Sequence, residues 1–219
     1  MSRSEEVARA VAAVRERIAR AAERAGRDPA TVTLVAVTKT RPAEDLLLAF
    51  EVGIRHFGEN RVQEAEAKFP SLPAGAVRHL IGPVQSNKAG RAARIADVVE
   101  TVDSAAIAER LDRAAAAAGK RLPVLVEVNT GGESTKAGVA PGDVASLVEA
   151  VRALPALDLR GLMTIPPPGD TRPHFVALRE LARALGLPEL SMGMSDDFEA
   201  AVEEGATIVR IGTALFGAR

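Results

Sequence analysis

The chain has no cysteine. Disulfides, thiolate catalysis and cysteine metal sites are excluded, and the composition fits a reducing compartment. Tryptophan and tyrosine are absent too, and six phenylalanines are the whole aromatic complement. Chemistry that needs a phenolic acid or base must find another residue. Neither sign of charge is in excess. The formal net charge is -1, so neither nucleic acid nor an anionic membrane is expected as a bulk partner. No uncharged apolar run approaches the length of a membrane span. The N-terminus carries Glu5, Glu6, Arg9, Arg15, Glu16 and Arg17 in place of an apolar segment. It does not read as a signal peptide, and a cytoplasmic location is the expectation. What remains is an ordinary globular composition, 47% apolar and 26% charged over 219 residues, enough for one large domain.

The apolar residues are arranged in two alternating periods. Over residues 4–25, Val7, Val11, Val14, Ile18 and Ala22 recur at helical spacing and Gly26 closes the run. Eight short strand candidates follow: 32–39, 56–60, 77–82, 98–102, 122–128, 159–165, 189–192 and 207–211. A helical pattern separates each successive pair, with Pro42, Pro141 and Asp103-Ser104 or Asp170-Thr171 at helix starts. Regular alternation of strand and helix implies a parallel sheet. Eight units after one leading helix predict a single (β/α)8 TIM barrel with an extra N-terminal helix, spanning 1–219 as one domain. An open doubly wound sheet is the alternative. It needs a glycine-rich phosphate loop after an early strand, and the first strand leaves through Thr38-Lys39-Thr40-Arg41-Pro42, without glycine.

In a barrel, the residues that follow the strands share one face, where active sites are built. In order, those exits carry Lys39; Asn60; Gln85 and Asn87; Asp103; Asn129; Thr164; Ser191 and Ser195; Arg210 and Thr213. A lysine, an arginine, amides and hydroxyls with few carboxylates do not make a metal cage. They suit an anionic ligand with a reactive carbonyl. Gly193-Met194-Ser195-Asp196 and Arg210-Ile211-Gly212-Thr213 follow strands seven and eight, the usual phosphate cradle of a barrel. Lys39 taken alone reads first as a surface lysine at a strand end, since lysines are mostly exposed, and only the other strand exits turn that reading toward a site. Arg210, inside an apolar strand, needs either a core carboxylate or a ligand group as partner.

The chain resembles the pyridoxal phosphate homeostasis family, alanine-racemase-like barrels without a second domain. Six stretches in the same order carry the resemblance: Ala36 to Thr40, Phe57 to Glu64, His79 to Lys88, Gly161 to Ile165, Leu190 to Asp197 and Val209 to Gly217. The resemblance implies pyridoxal 5′-phosphate as cofactor, held as a Schiff base on Lys39. It implies Ser195, Gly212 and Thr213 at the phosphate and Arg210 beside the pyridine nitrogen, with Asn60 and Ser191 lining the pocket. Thr38, Arg41 and Ala206 stand where the family often has Ser, Lys and Ser, and none of these changes removes a proposed ligand. Lys136 is a second cationic candidate near the mouth, or a solvated loop lysine.

The implied function is storage or delivery of the cofactor to apo-enzymes, by a monomer without robust catalysis. Two alternatives are a pyridoxal-phosphate-dependent amino-acid racemase and a cofactor-free Schiff-base aldolase. Racemases of this barrel type, by resemblance, pair the lysine with a tyrosine, and this chain has none. A substitute base would have to be His56, His79 or His174. An aldolase needs a carboxylate or tyrosine near Lys39, and Glu59 is the obvious carboxylate at an early exit.

Overall fold

The computed structural model describes residues 2–133 and 136–217. Among them, eight parallel strands close into a barrel in sequence order. They are β1 (Thr33–Val37), β2 (His56–Glu59), β3 (Val77–Leu80), β4 (Val98–Val102), β5 (Leu122–Glu127), β6 (Leu157–Met163), β7 (Glu189–Ser191) and β8 (Ile208–Ile211). Closure is made where β1 pairs with β8, Val35 lying beside Arg210. The helices are α1 (Arg3–Arg24), α2 (Ala43–Glu51), α3 (Val62–Lys68), α4 (Ala89–Ile95), α5 (Ala105–Ala117), α6 (Val144–Arg152), α7 (Arg172–Ala184), α8 (Phe198–Glu203) and the short α9 (Thr213–Phe216). No helix among the described residues is long and apolar enough to cross a membrane.

Alternation along each strand divides the core in two. Outward residues such as Ala36, Phe57, Leu80, Val99, Val124 and Leu162 join the layer between barrel and helices. Inward residues Val35, Val98, Leu125, Met163 and Ile208 form a separate apolar cluster inside the barrel, with Val77 packed on it. Two residues further along the same strands, the inward positions turn polar: His79, Glu100, Glu127 and Arg210, all buried. The barrel is thus sealed by aliphatics toward its N-terminal end and charged toward the face where sites form.

The N-terminal helix α1 lies outside this cylinder. A capping box starts it, Ser2 Oγ accepting from Glu5 N–H and the Glu5 carboxylate accepting from Ser2 N–H. Its buried stripe of Val7, Val11, Val14 and Ile18 contributes roughly 1.5–3 kcal/mol per fully buried aliphatic side chain. Arg3 forks onto Asp45 of α2 at 3.0 and 2.8 Å and reaches the Phe216 carbonyl of α9. Arg17 pairs with Glu199 of α8 at 3.2 Å. One helix therefore ties the first unit of the barrel to the last.

The structure departs from the sequence reading at helix starts. The helices expected from Ser86 and near Pro141 begin as 3-10 turns, Ser86–Lys88 and Pro141–Asp143. Ser104 precedes α5 without capping it; its hydroxyl donates to Asp103. The α9 turn after β8 was not expected, because four residues are too few to show a period.

Candidate active-face cleft

Lys39 leaves the end of β1 in a held turn. The turn's Thr40 has φ of 64°, the one positive φ among described non-glycine residues. A β-branched residue in that region costs about 1–3 kcal/mol and persists only where neighbours impose it. Here the neighbours are on α3. Thr40 N–H donates to Glu64 at 3.0 Å, and Lys68 Nζ donates to the Thr38 carbonyl at 2.9 Å. Lys68 also donates to Glu59 and Glu64, at 2.9 and 3.1 Å. Thr38 Oγ1 donates to Glu59 at 2.7 Å. Burial pushes the Glu59 carboxyl above the usual range, with Thr38 and Lys68 opposing.

The lysine opens into a cleft of about 200 Å³ at the C-terminal face, lined by residues of several strand exits. Lys39, Asn60, Ser195, Arg210, Gly212 and Thr213 all line it, together with Arg41, Asp196 and the apolar Val37, Ile81, Ile165 and Met194. Among the described residues, three cations and one carboxylate line it, a balance that favours an anion. The β7 exit is shaped by Gly193, at φ of +92°, where a Cβ would lie 2.5 Å from Ala201 Cβ. Asp197 then accepts from Met194 N–H at 2.6 Å, and Ser195 Oγ accepts from Ala214 N–H at 3.2 Å. The exits of β7 and β8 are thereby joined through the hydroxyl of Ser195. Gly82 brings β3 against β2: a Cβ there would meet the Asn60 carbonyl oxygen at 2.3 Å. Asn60 is left with a buried side-chain oxygen that has no protein partner, an acceptor that a ligand donor would satisfy.

Arg210 is fixed from below. Its Nη1 donates to Ser191 Oγ at 2.6 Å and its Nη2 to the Thr164 carbonyl at 2.8 Å. Ser191 Oγ donates to Glu100 at 2.6 Å, whose other oxygen meets His79 Nδ1 at 2.6 Å. His79 Nε2 in turn meets His56 Nδ1 at 2.9 Å. Burial lowers the Arg210 pKa, opposed by Glu100, Glu127 and Asp197, and the guanidinium keeps its charge because arginine is not deprotonated in proteins. Burial would raise the Glu100 carboxyl, but His79, Arg210 and Ser191 together hold it below the usual range. Burial, helped by His79 and opposed by Glu100, lowers His56 to about 4, so its imidazole is neutral at pH 7.

Six of the seven residues expected in the site meet at the cleft, and Ser191 lies beneath it, holding Arg210. His79 is inside the barrel and is not among the lining residues. His174 is half-buried against the Thr130 carbonyl. Lys136 pairs with Glu133 in the loop after β5. Glu59 faces α3 on the outer side of β2 and does not line the cleft. Sequence reading passed over Glu100 and Glu127. The signal was the one that marked Arg210, a charge at an inward position of an apolar strand. Glu127 has an oxygen without a partner and is raised by burial to about 7, Arg210 opposing and Asp103 adding.

The profile of the family "Alanine racemase, N-terminal domain" matches residues 10–219. A pyridoxal phosphate homeostasis protein of Pseudomonas aeruginosa is 51% identical over 222 residues, 97% of this chain and 96% of that one. One of Escherichia coli K12 is 43% identical over 227 residues, covering 98% and 97%. The chain belongs to the pyridoxal phosphate homeostasis protein family. Among solved structures, PipY of Synechococcus elongatus PCC7942, with pyridoxal phosphate bound, superposes with a TM-score of 0.84 at 39% identity. That match covers 96% of this chain and all of PipY. The family has the alanine-racemase-like barrel, and the closed sheet described above is that fold.

Proposed function

We propose that this protein binds pyridoxal 5′-phosphate at the C-terminal face of the barrel and holds it for other enzymes, with little turnover of its own. The observation that carries this reading is the meeting, in one cationic cleft, of Lys39 with Ser195, Gly212, Thr213 and a fixed Arg210. The orphaned oxygen of Asn60 and the hydroxyls of the β7 and β8 exits fit such a ligand. When bound, pyridoxal phosphate supplies an aldehyde for an amine and a ring that accepts electrons. Lys39 provides the amine, which must be neutral to react. Ser195, Gly212 and Thr213 would hold the phosphate, and Arg210 would serve the ring nitrogen. Arginine only donates, so it would leave that nitrogen unprotonated and the ring a weak electron sink. Asn60 would offer its free oxygen to the ligand, and Ser191 would act through Arg210.

Three features support a holder over a racemase or an aldolase. The chain has no tyrosine, the one carboxylate among the described residues lining the cleft is Asp196 beside the β7 exit, and Glu59 pairs with Lys68 away from the cleft. Curated relatives carry homeostasis names, and a relative has been solved with the cofactor. We further propose a monomer of one barrel domain working in the cytoplasm, with apo-enzymes of pyridoxal phosphate as recipients. Ile165 and Met194 are the large exposed hydrophobics among the described residues, and both rim the cleft.

The test is spectroscopic. Protein mixed with pyridoxal phosphate is expected to show a visible band that borohydride bleaches, leaving a mass tag on the Lys39 peptide. Lys39→Ala is expected to lack both. A colourless wild type, or amino-acid racemisation at turnover rates typical of enzymes, on the order of 1 per second or faster, overturns the reading. Transfer to an apo-enzyme in the presence of a trap for free cofactor distinguishes direct delivery from release.

A further inference from the structure

We propose that Glu64 and Lys68 of α3, resting on Glu59, are positioning residues for Lys39: from the outer side of the barrel wall they set the turn that aims its amine into the cleft. The proposal rests on the reading of Lys39 as the amine that meets an aldehyde. Neither α3 residue touches the cleft. Their contacts are instead with the two residues that flank Lys39 in sequence. Lys68 takes the carbonyl of Thr38, and Glu64 takes the N–H of Thr40. Glu64 and Lys68 sit one helical turn apart and bond each other at 3.1 Å. Lys68 has three donors, and Thr38, Glu59 and Glu64 accept all three. Its side chain is 13% exposed and that of Glu59 is fully buried, so solvent screening is weak.

The unusual backbone at Thr40 gives this arrangement a purpose that packing alone does not require. A strained φ on a β-branched residue reverts unless it is held. The turn matters because Lys39 has four side-chain torsions of its own. A backbone rotation at Thr38 or Thr40 swings its Cα–Cβ direction and displaces the whole amine. Condensation with an aldehyde forms a bond from the amine nitrogen to the carbonyl carbon and expels the oxygen as water. It needs no oxidant or reductant, only an amine at the right place, and misplacement by about 1 Å is worth on the order of 100-fold in rate.

The experiment uses the full chain with Glu64→Ala, Lys68→Met and the double variant. Unfolding midpoints identify which are folded. Should Lys68→Met fail to fold, with the buried Glu59 left without a cation, Glu64→Ala still decides. Rates of covalent adduct formation with pyridoxal phosphate are compared with the affinity for pyridoxine 5′-phosphate, which keeps ring and phosphate but has no aldehyde. The expected result is adduct formation slowed on the order of 10- to 100-fold, pyridoxine phosphate affinity within about 2-fold, and a double variant no worse than the poorer single because the groups act as a unit. Adduct formation at the wild-type rate in a folded variant overturns the proposal. So does a parallel fall in both ligands, since the pocket as a whole would then have changed. Reductive methylation of the cofactor-free protein, read at the Lys39 peptide by mass spectrometry, gives a separate answer. A wild type that forms no adduct removes the reading of function. Methylation at Lys39 that is the same in every variant removes the clamp.

Discussion

Glu127 concentrates the electrostatic cost of the barrel interior in one side chain. Its carboxyl is raised by burial from an ordinary 4.5 to about 7. Between those values the folded chain binds a proton that the unfolded chain has released, so stability falls as pH rises through that window. The cost, of order 3 kcal/mol, is fully present above about pH 7. Glu127→Gln is expected to flatten that slope and to raise stability at pH 8, as read by urea unfolding at a series of pH values. Glu100 behaves in the opposite way. It is ionised, fully buried and partnered by Ser191 and His79. Glu100→Ala takes the buried carboxylate from His79 and Ser191 directly, and from Arg210 through Ser191; its expected cost is about 3–5 kcal/mol, with weakened binding of pyridoxal phosphate. Arg210 was legible in the sequence because it interrupts an apolar strand, and Lys39 because it stands at the exit of one, among the polar exits of the others. Glu100 interrupts one too, but its partners are 21 residues back at His79 and 91 residues forward at Ser191, and pairing at such separation is not written in any local pattern.

At the scale of elements, the site depends on how closely neighbouring strand exits approach. Gly82 allows the β3 exit to rest on the backbone of Asn60. Gly82→Ala places a methyl against that carbonyl oxygen, so one exit must shift. The expected loss is roughly 1–3 kcal/mol in stability, together with reduced affinity for pyridoxal phosphate by equilibrium titration, since Asn60 moves with its backbone. The helix α3 has a second assignment beyond covering β2, as the clamp on the Lys39 turn. Strand existence and type were readable from period and composition, since β-branched and aliphatic runs bounded by Gly and Pro have few other uses. The 3-10 starts of α4 and α6 and the α9 turn were not, because hydrogen bonding in a single turn is decided by what the chain packs against.

At the scale of the whole molecule, α1 makes the barrel one cooperative unit, since it contacts α2, α8 and α9 from a single buried stripe. Ile18→Ala, at a side chain 4% exposed, is expected to cost about 2–5 kcal/mol and to move the single thermal transition without splitting it. Sedimentation is expected to give a species near the chain mass of 22.9 kDa, with or without pyridoxal phosphate.

The sequence by itself determined the architecture and the chemical inventory of the site. Alternating helix and strand periods allow few topologies besides a parallel barrel, and the polar residues after each strand must then share a face. The missing tyrosine was equally plain. Only the tertiary structure decided that Ser191 serves Arg210 from beneath, that Glu59 belongs to α3 and not to the cleft, and that Thr40 is held at a positive φ. Each of these depends on which side of a strand a side chain leaves and on what a distant element presents there. Those are properties of the closed barrel, where residues far apart in sequence are brought within hydrogen-bond distance.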